Sequence, residues 1–392
     1  MRVRALANPS VLLWARRTAG LDTDEVARKV GTSSDRLESW ERGEQQPSIT
    51  QLRKLADVYK RSLAVFFLEK PPPDEAPPSD FRRFDPKAAE PLSSSLRFVI
   101  RDARDRREAA IDLFDELDEH PPEFSLSAKV SDDPERVGQH LRNALAAGKT
   151  PAGGDPRVAF NFWRDASENA GVLVFQARDV EVEEMRGFSI SERPLPAVVL
   201  NIQDAPAGRT FSLLHELAHI MLNHGGLCIF EERGPQTDIQ RTEVFCNHIA
   251  GATLLPAASL LQEPEVPRRR ESAIPDDALE RLARRYGASR EAVLRRLVIL
   301  DRVPLAYYQR KRQDYAREHV QRRAGTREGG FAPPYTLAWT TRGKLFTRLV
   351  LQSYDDERIT SSDVAGYLGL RLRWLERVRE AVREGPTIGG LS

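Results

Sequence analysis

The sequence predicts a mainly α protein with a small mixed β-sheet, an α+β chain of several domains. Three observations predict it. Apolar residues recur at helical spacing across residues 9–68, and again across 277–300 and 344–382. Two short runs, Val172-Leu173-Val174-Phe175 and Ala197-Val198-Val199-Leu200, have the density of apolar residues expected of buried strands. Proline- and glycine-rich breaks interrupt a chain of 392 residues, which is longer than one ordinary core requires.

Composition narrows the class. Hydrophobic residues make up 40% and charged residues 30%, as in a soluble globular protein. A net charge of +1 excludes a wholesale electrostatic preference for nucleic acid, while leaving room for a local basic face. The only cysteines, Cys228 and Cys246, can form neither a disulfide framework nor a four-cysteine zinc site, and they favour a reducing compartment. Arg2, Arg4, Arg16 and Arg17, with Asn8-Pro9 between them, break up any signal-peptide core. No run approaches the roughly 18–20 apolar residues that span a bilayer, so the expectation is a cytoplasmic protein with no membrane partner.

The elements follow in order. Residues 1–70 read as an all-α domain: a helix from Thr23 stopped by Gly31, a second from Asp35 to Arg42 before Gly43, and a third opened by Pro47-Ser48. Residues 71–92 form a proline-rich linker, Lys70-Pro71-Pro72-Pro73 onward. Residues 93–305 form the main domain. It starts with a charged, exposed helix near 93–120, continues through helices at 137–146 and 160–170 and the two strands, and ends with a helical pair at 277–286 and 290–300. Residues 306–330 read as a basic linker, and residues 331–392 as a helical accessory domain with helices near 344–354, 361–368 and 371–382.

The chemistry concentrates in Thr210 to Leu222. His215 and His219 lie four residues apart, which puts both imidazoles on one helix face, where they can hold one Zn²⁺. Glu216 follows the first histidine and suits a general base that need not ligate the metal. Five-residue H-E-x-x-H matches arise by chance, but here the flanks Phe211, Leu213, Leu214, Leu217, Ile220, Met221 and Leu222 are apolar. Burying two histidines and a glutamate among them is costly without a partner. A catalytic zinc needs a third ligand. Glu243 is the choice, with His248 as rival and Cys246 a weaker one that reads better as a small buried residue. Asn247, one turn beyond Glu243, suits orienting a ligand from behind, and His224 reads as a helix-end or supporting residue.

Arg209-Thr-Phe-Ser-Leu-Leu-His215-Glu216-Leu-Ala-His219, followed by Glu243-x-x-Cys246-Asn247 and Leu254-Leu255-Pro256, resembles the ImmA/IrrE family of metallopeptidases over roughly residues 130–300. The resemblance implies a gluzincin-like fold with one zinc on His215, His219 and Glu243, and Glu216 as the catalytic base. It also implies a repressor or antitoxin-like regulatory protein as substrate, cut under stress or during mobile-element transfer. Arg209 fits a structural ion pair as well as a supporting role at the site.

Residues 9–66 resemble an Xre/Cro-type helix-turn-helix domain, carried by Val26-Ala27, Gly31-Thr32-Ser33, Leu37, Trp40-Glu41-Arg42-Gly43, Pro47-Ser48 and Leu52. DNA is then read by the helix starting near Ser34, with Ser34, Arg36, Ser39 and Arg42 as the contacts. Asp35 and Glu38 on that face oppose phosphate approach, and Thr23 stands where the family has glutamine. Docking or homodimer formation is the competing use of this module. The combined layout resembles partners of toxin genes, so the alternative function is a DNA-binding regulator or antitoxin that holds a toxin without cutting it. The basic runs at 268–270 and 310–312 read as solvated faces.

Overall fold

The computed structural model of the chain describes residues 5–73, 79–80, 92–146, 149, 154–223, 226–228, 238–271, 273–325 and 333–383. His224 lies outside them. The described residues form two compact units: the first holds residues up to 73 together with 92–102, and the second holds the rest.

In the first unit four helices pack on one another: α1 (Pro9–Ala19), α2 (Thr23–Val30), α3 (Ser34–Glu41) and α4 (Ile49–Tyr59). Each begins at a polar cap. Asn8, Asp22, Ser33 and Ser48 accept the orphan amides of Ser10, Glu25, Arg36 and Gln51, and Ser48 and Gln51 form a reciprocal capping box. Gly31 closes α2 at φ +77°, a left-handed conformation that lets the chain turn directly into α3. Val11, Leu12, Val26, Leu37, Trp40, Leu52, Leu55, Tyr59 and Phe66 fill the core. Helix α5 (Ser94–Glu116) starts here, and its Arg101 guanidinium donates to the carbonyls of Tyr59 and Lys60 at 2.9 and 2.6 Å. Read from sequence as an exposed helix, α5 in fact buries Leu96, Ile100, Ala103, Ala110, Leu113 and Phe114.

The second unit is built on a five-stranded sheet. Its strands are β1 (Ser79–Asp80), β2 (Leu173–Ala177), β3 (Gly187–Ile190), β4 (Ala197–Asn201) and β5 (Gly226–Cys228), in the order β1-β5-β3-β4-β2. β2 and β4 pair in parallel, with Leu173 opposite Ala197, and every residue of both is buried, which is why they read as continuous apolar runs. β3 runs antiparallel to both β4 and β5, and β1 joins β5 in parallel. The sequence does not announce β1, β3 or β5. β1 falls inside the segment read as a linker, so residues 79–80 belong to the second unit's sheet.

Helices surround that sheet: α6 (Pro134–Ala146), α7 (Pro156–Asn169), α8 (Pro206–Met221), α9 (Asp238–Leu254), α10 (Ala257–Leu260), α11 (Asp276–Tyr286) and α12 (Arg290–Ile299). α8 lies across β3 and β4 and packs on α7 and α9. Trp163, Val174, Val198, Leu200, Leu214, Leu217, Phe245, Ile249 and Leu294 interleave between them. Gly138 allows α6 to press against α9, because a Cβ there would lie 2.6 Å from the Ala252 Cβ and 3.0 Å from the Ile249 carbonyl.

The C-terminal third differs from expectation in two respects. The stretch read as a basic linker at 306–330 is helix α13 (Leu305–Gly325). Its Tyr307, Tyr308 and Tyr315 join the main core, so aromatic residues anchor a helix whose charged face masks it in sequence. The tail read as an accessory domain at 331–392 packs into the second unit. It comprises α14 (Pro334–Arg342), α15 (Lys344–Asp355), α16 (Ser361–Leu368) and α17 (Leu375–Arg383), with α14 lying along β2 and α15 against α7. The joint is polar and buried. The Lys344 ammonium meets Asp165 at 2.6 Å, the Gln176 amide donates to the Thr340 carbonyl at 2.7 Å, and the Glu168 carboxyl accepts the amides of Lys344 and Leu345.

Candidate metal centre

α8 presents the motif. Pro206 starts it at the position where a missing N–H costs nothing, and the Asp204 carboxylate receives the Ala205 amide at 2.8 Å beside the positive end of the helix dipole. From Leu213 to Met221 the helix is buried throughout, including His215, Glu216 and His219 at 0% exposure. The i, i+4 spacing brings the two imidazoles together, Nε2 to Nε2 at 3.1 Å.

α9 supplies the third group. Glu243, 6% exposed, places Oε1 at 3.1 Å from His219 Nε2 and Oε2 at 3.4 Å from His215 Nε2. The rest of α9 is clamped. The Arg296 guanidinium, itself 1% exposed, donates two bonds to the Glu135 carboxylate and one to the Leu255 carbonyl, while His248 pairs with Glu135 at 2.6 Å. His248, the rival for third ligand, is therefore turned to α6. Thr253 and Arg142 add further ties between α9 and α6.

Donor chemistry and spacing fit a divalent ion. His215, His219 and Glu243 are the group among the described residues whose ligand atoms converge within 4.8 Å. A tetrahedral ion with donors at about 2.0–2.1 Å separates them by about 3.3 Å. The observed separations of 3.1, 3.1 and 3.4 Å, the last two to different oxygens of the Glu243 carboxylate, lie near that edge. Burial pushes the His215 imidazole below its ordinary range, against the pull of Glu243, and so favours the neutral form that ligates. Burial would raise the Glu243 carboxyl, but hydrogen bonds and charge from His215 and His219 outweigh it and hold it at about 2. A neutral His215 nitrogen beside an ionised Glu243 carboxylate is the protonation state a cation requires.

Glu216 projects toward β3, where the Ser189 hydroxyl donates to its Oε2 at 2.9 Å. Sequence reasoning missed Ser189, since nothing local marks a serine 27 residues upstream as its partner. Asn247 is buried one turn from Glu243, and its Oδ1 has no hydrogen-bond partner among the described residues. Cys246 is fully buried beside His219, and burial pushes its thiol up, in keeping with a small packed residue. Arg209 forms neither an expected ion pair nor a contact with the ligand set among the bonds described. It donates to Gln176 and stacks over Phe160 with 4.5 Å to the ring centroid, and desolvation lowers it to about 10.

The helix-turn-helix residues are placed unevenly. Arg36 is exposed, and its guanidinium sits 5.9 Å from the Trp40 ring centroid. Arg42 is exposed but engaged with Glu44 at 2.7 Å and Glu38 at 3.3 Å. Ser34 is tied to Asp24. Ser39, expected as a DNA contact, is 6% exposed and donates back to the Arg36 carbonyl at 2.8 Å, which removes it from the surface.

Fold and site together define a helix-turn-helix protein carrying a metallopeptidase-type domain. Residues 11–65 match the family model of a helix-turn-helix domain, and residues 168–298 match that of the IrrE N-terminal-like domain. The chain thus has the ImmA/IrrE arrangement with an N-terminal helix-turn-helix module, an architecture that supports a DNA-binding regulator with an IrrE-like domain. No curated protein matches the chain. No helix of the described residues is long and apolar enough to cross a membrane.

Proposed function

We propose that the chain is a zinc-dependent endopeptidase that cleaves a regulatory protein, a repressor or antitoxin, and is coupled to DNA through its helix-turn-helix module. The observation that carries this reading is the buried convergence of His215, His219 and Glu243 beside Glu216. Zinc held there would supply Lewis acidity to a peptide carbonyl and make water reactive near neutral pH. His215 and His219 would hold it as neutral donors, and Glu243 would balance its charge. Glu216, one residue from the first ligand, accepts a proton from the attacking water and returns it to the leaving amine. The apolar wall of Leu213, Leu214 and Leu217 excludes bulk water and strengthens each of these interactions.

Zinc content and a substrate trap test the reading together. Wild type and Glu216→Gln should each hold about one zinc per chain. The variant should co-purify with an uncut regulatory protein that the wild type converts to two fragments. Metal-loaded protein with no zinc at His215 and His219, or a partner bound but left intact by the wild type, would overturn it.

A further inference from the structure

We infer that Ser189 is the positioning residue that sets how the Glu216 carboxylate faces its substrate, an inference that rests on the reading of Glu216 as the base. Successive residues of a strand alternate faces, so Gly187 and Ser189 turn to the same side of β3, the side that α8 covers. Ser189 is 1% exposed, and its hydroxyl donates to Glu216 Oε2 at 2.9 Å. A Cβ added at Gly187 would come 3.4 Å from the other oxygen, Oε1. Two positions of one strand therefore distinguish the two oxygens. A hydroxyl ties Oε2, and the residue opposite Oε1 has no side chain.

That asymmetry matters because the last torsion of a glutamate is broad and nearly two-fold, so packing of the aliphatic stem alone does not choose which oxygen points where. A fixed donor chooses. The strand is itself fixed on both sides, Ser189 lying opposite Val198 of β4 and Phe188 opposite Leu227 of β5. The hydroxyl is thus held by backbone pairing and not by a loop.

Crystal structures of the zinc-loaded full chain test this in the wild type, Ser189→Ala and Ser189→Thr, together with zinc affinity by chelator competition and cleavage of a pool of internally quenched peptides. The expected result is a rotated or split Glu216 carboxylate in Ser189→Ala, with unchanged zinc affinity and about a ten- to hundredfold slower cleavage. Ser189→Thr, which keeps the hydroxyl, should restore both orientation and rate. If Ser189→Ala leaves the carboxylate where it is, the inference fails. Loss of zinc in step with rate would also overturn it, because Ser189 would then be merely structural. A wild type that cuts no peptide at all counts against the hydrolase reading, and the carboxylate's orientation in the three structures still decides the role of Ser189.

Discussion

His215 and Glu243 divide their protons by environment: burial disfavours charge on the His215 imidazole, and the two ring nitrogens beside it hold the Glu243 carboxyl low. Removing the carboxylate leaves two buried nitrogens 3.1 Å apart without the third ligand that balances a cation. Glu243→Gln should therefore weaken zinc binding by at least about a hundredfold, measured by chelator competition at neutral pH, with secondary structure retained by circular dichroism. At this scale the sequence was legible wherever spacing alone fixed geometry. Two histidines one helical turn apart must share a face, and the nine buried residues from Leu213 to Met221 imply that the pair is enclosed. Ser189, Gln176 and Glu135 were not legible, because each meets its partner across tens of residues through strand order or helix packing. Ser39 misled for a local reason: its hydroxyl finds a carbonyl three residues back and leaves the solvent.

Among the elements, the α7–α15 joint sets a demanding constraint. Gly343 lies at φ +76°, and a Cβ there would sit 2.3 Å from Glu168 Oε1 and 2.6 Å from the Val174 carbonyl, a backbone atom that cannot step aside. Gly343→Ala should cost about 1–3 kcal/mol, read from the denaturant midpoint. Burial raises the Glu168 carboxyl to about 7, opposed by Arg164 and reinforced by Asp165. The folded protein thus keeps this proton where an unfolded glutamate, near 4.5, has lost it. Its contribution is complete below 4.5 and lost as pH rises through 7. The wild-type melting temperature should accordingly fall between pH 5 and 8 more than that of Glu168→Gln, which has no proton to lose. Element types followed from sequence where a pattern was long. β2 and β4 have five residues each and overlap the apolar runs 172–175 and 197–200, whereas β1, β3 and β5 have two, four and three residues and gain their identity only from neighbours. α13 was hidden by its charged face, since two buried tyrosines and a partly buried third among arginines do not make an apolar stripe.

Across the whole molecule, 59 basic and 58 acidic side chains leave no net field to draw the chain to DNA. Binding must rest on the few cations of the helix-turn-helix face, and Arg42 is already paired with Glu38 and Glu44. Replacing both acids, Glu38→Gln with Glu44→Gln, should release that guanidinium. In a salt titration by fluorescence anisotropy, DNA affinity should rise and the dependence of log K on log salt should steepen by about one.

Ser79 and Asp80 lie in sequence between two segments of the first unit, yet they complete the outer row of the second unit's sheet. Cutting the chain behind them would separate the halves in name only. The half that keeps β5 would lose its last row of backbone partners and present an open template to any extended peptide nearby. The second unit prepared without those two residues would therefore be a stickier molecule than the one nature makes.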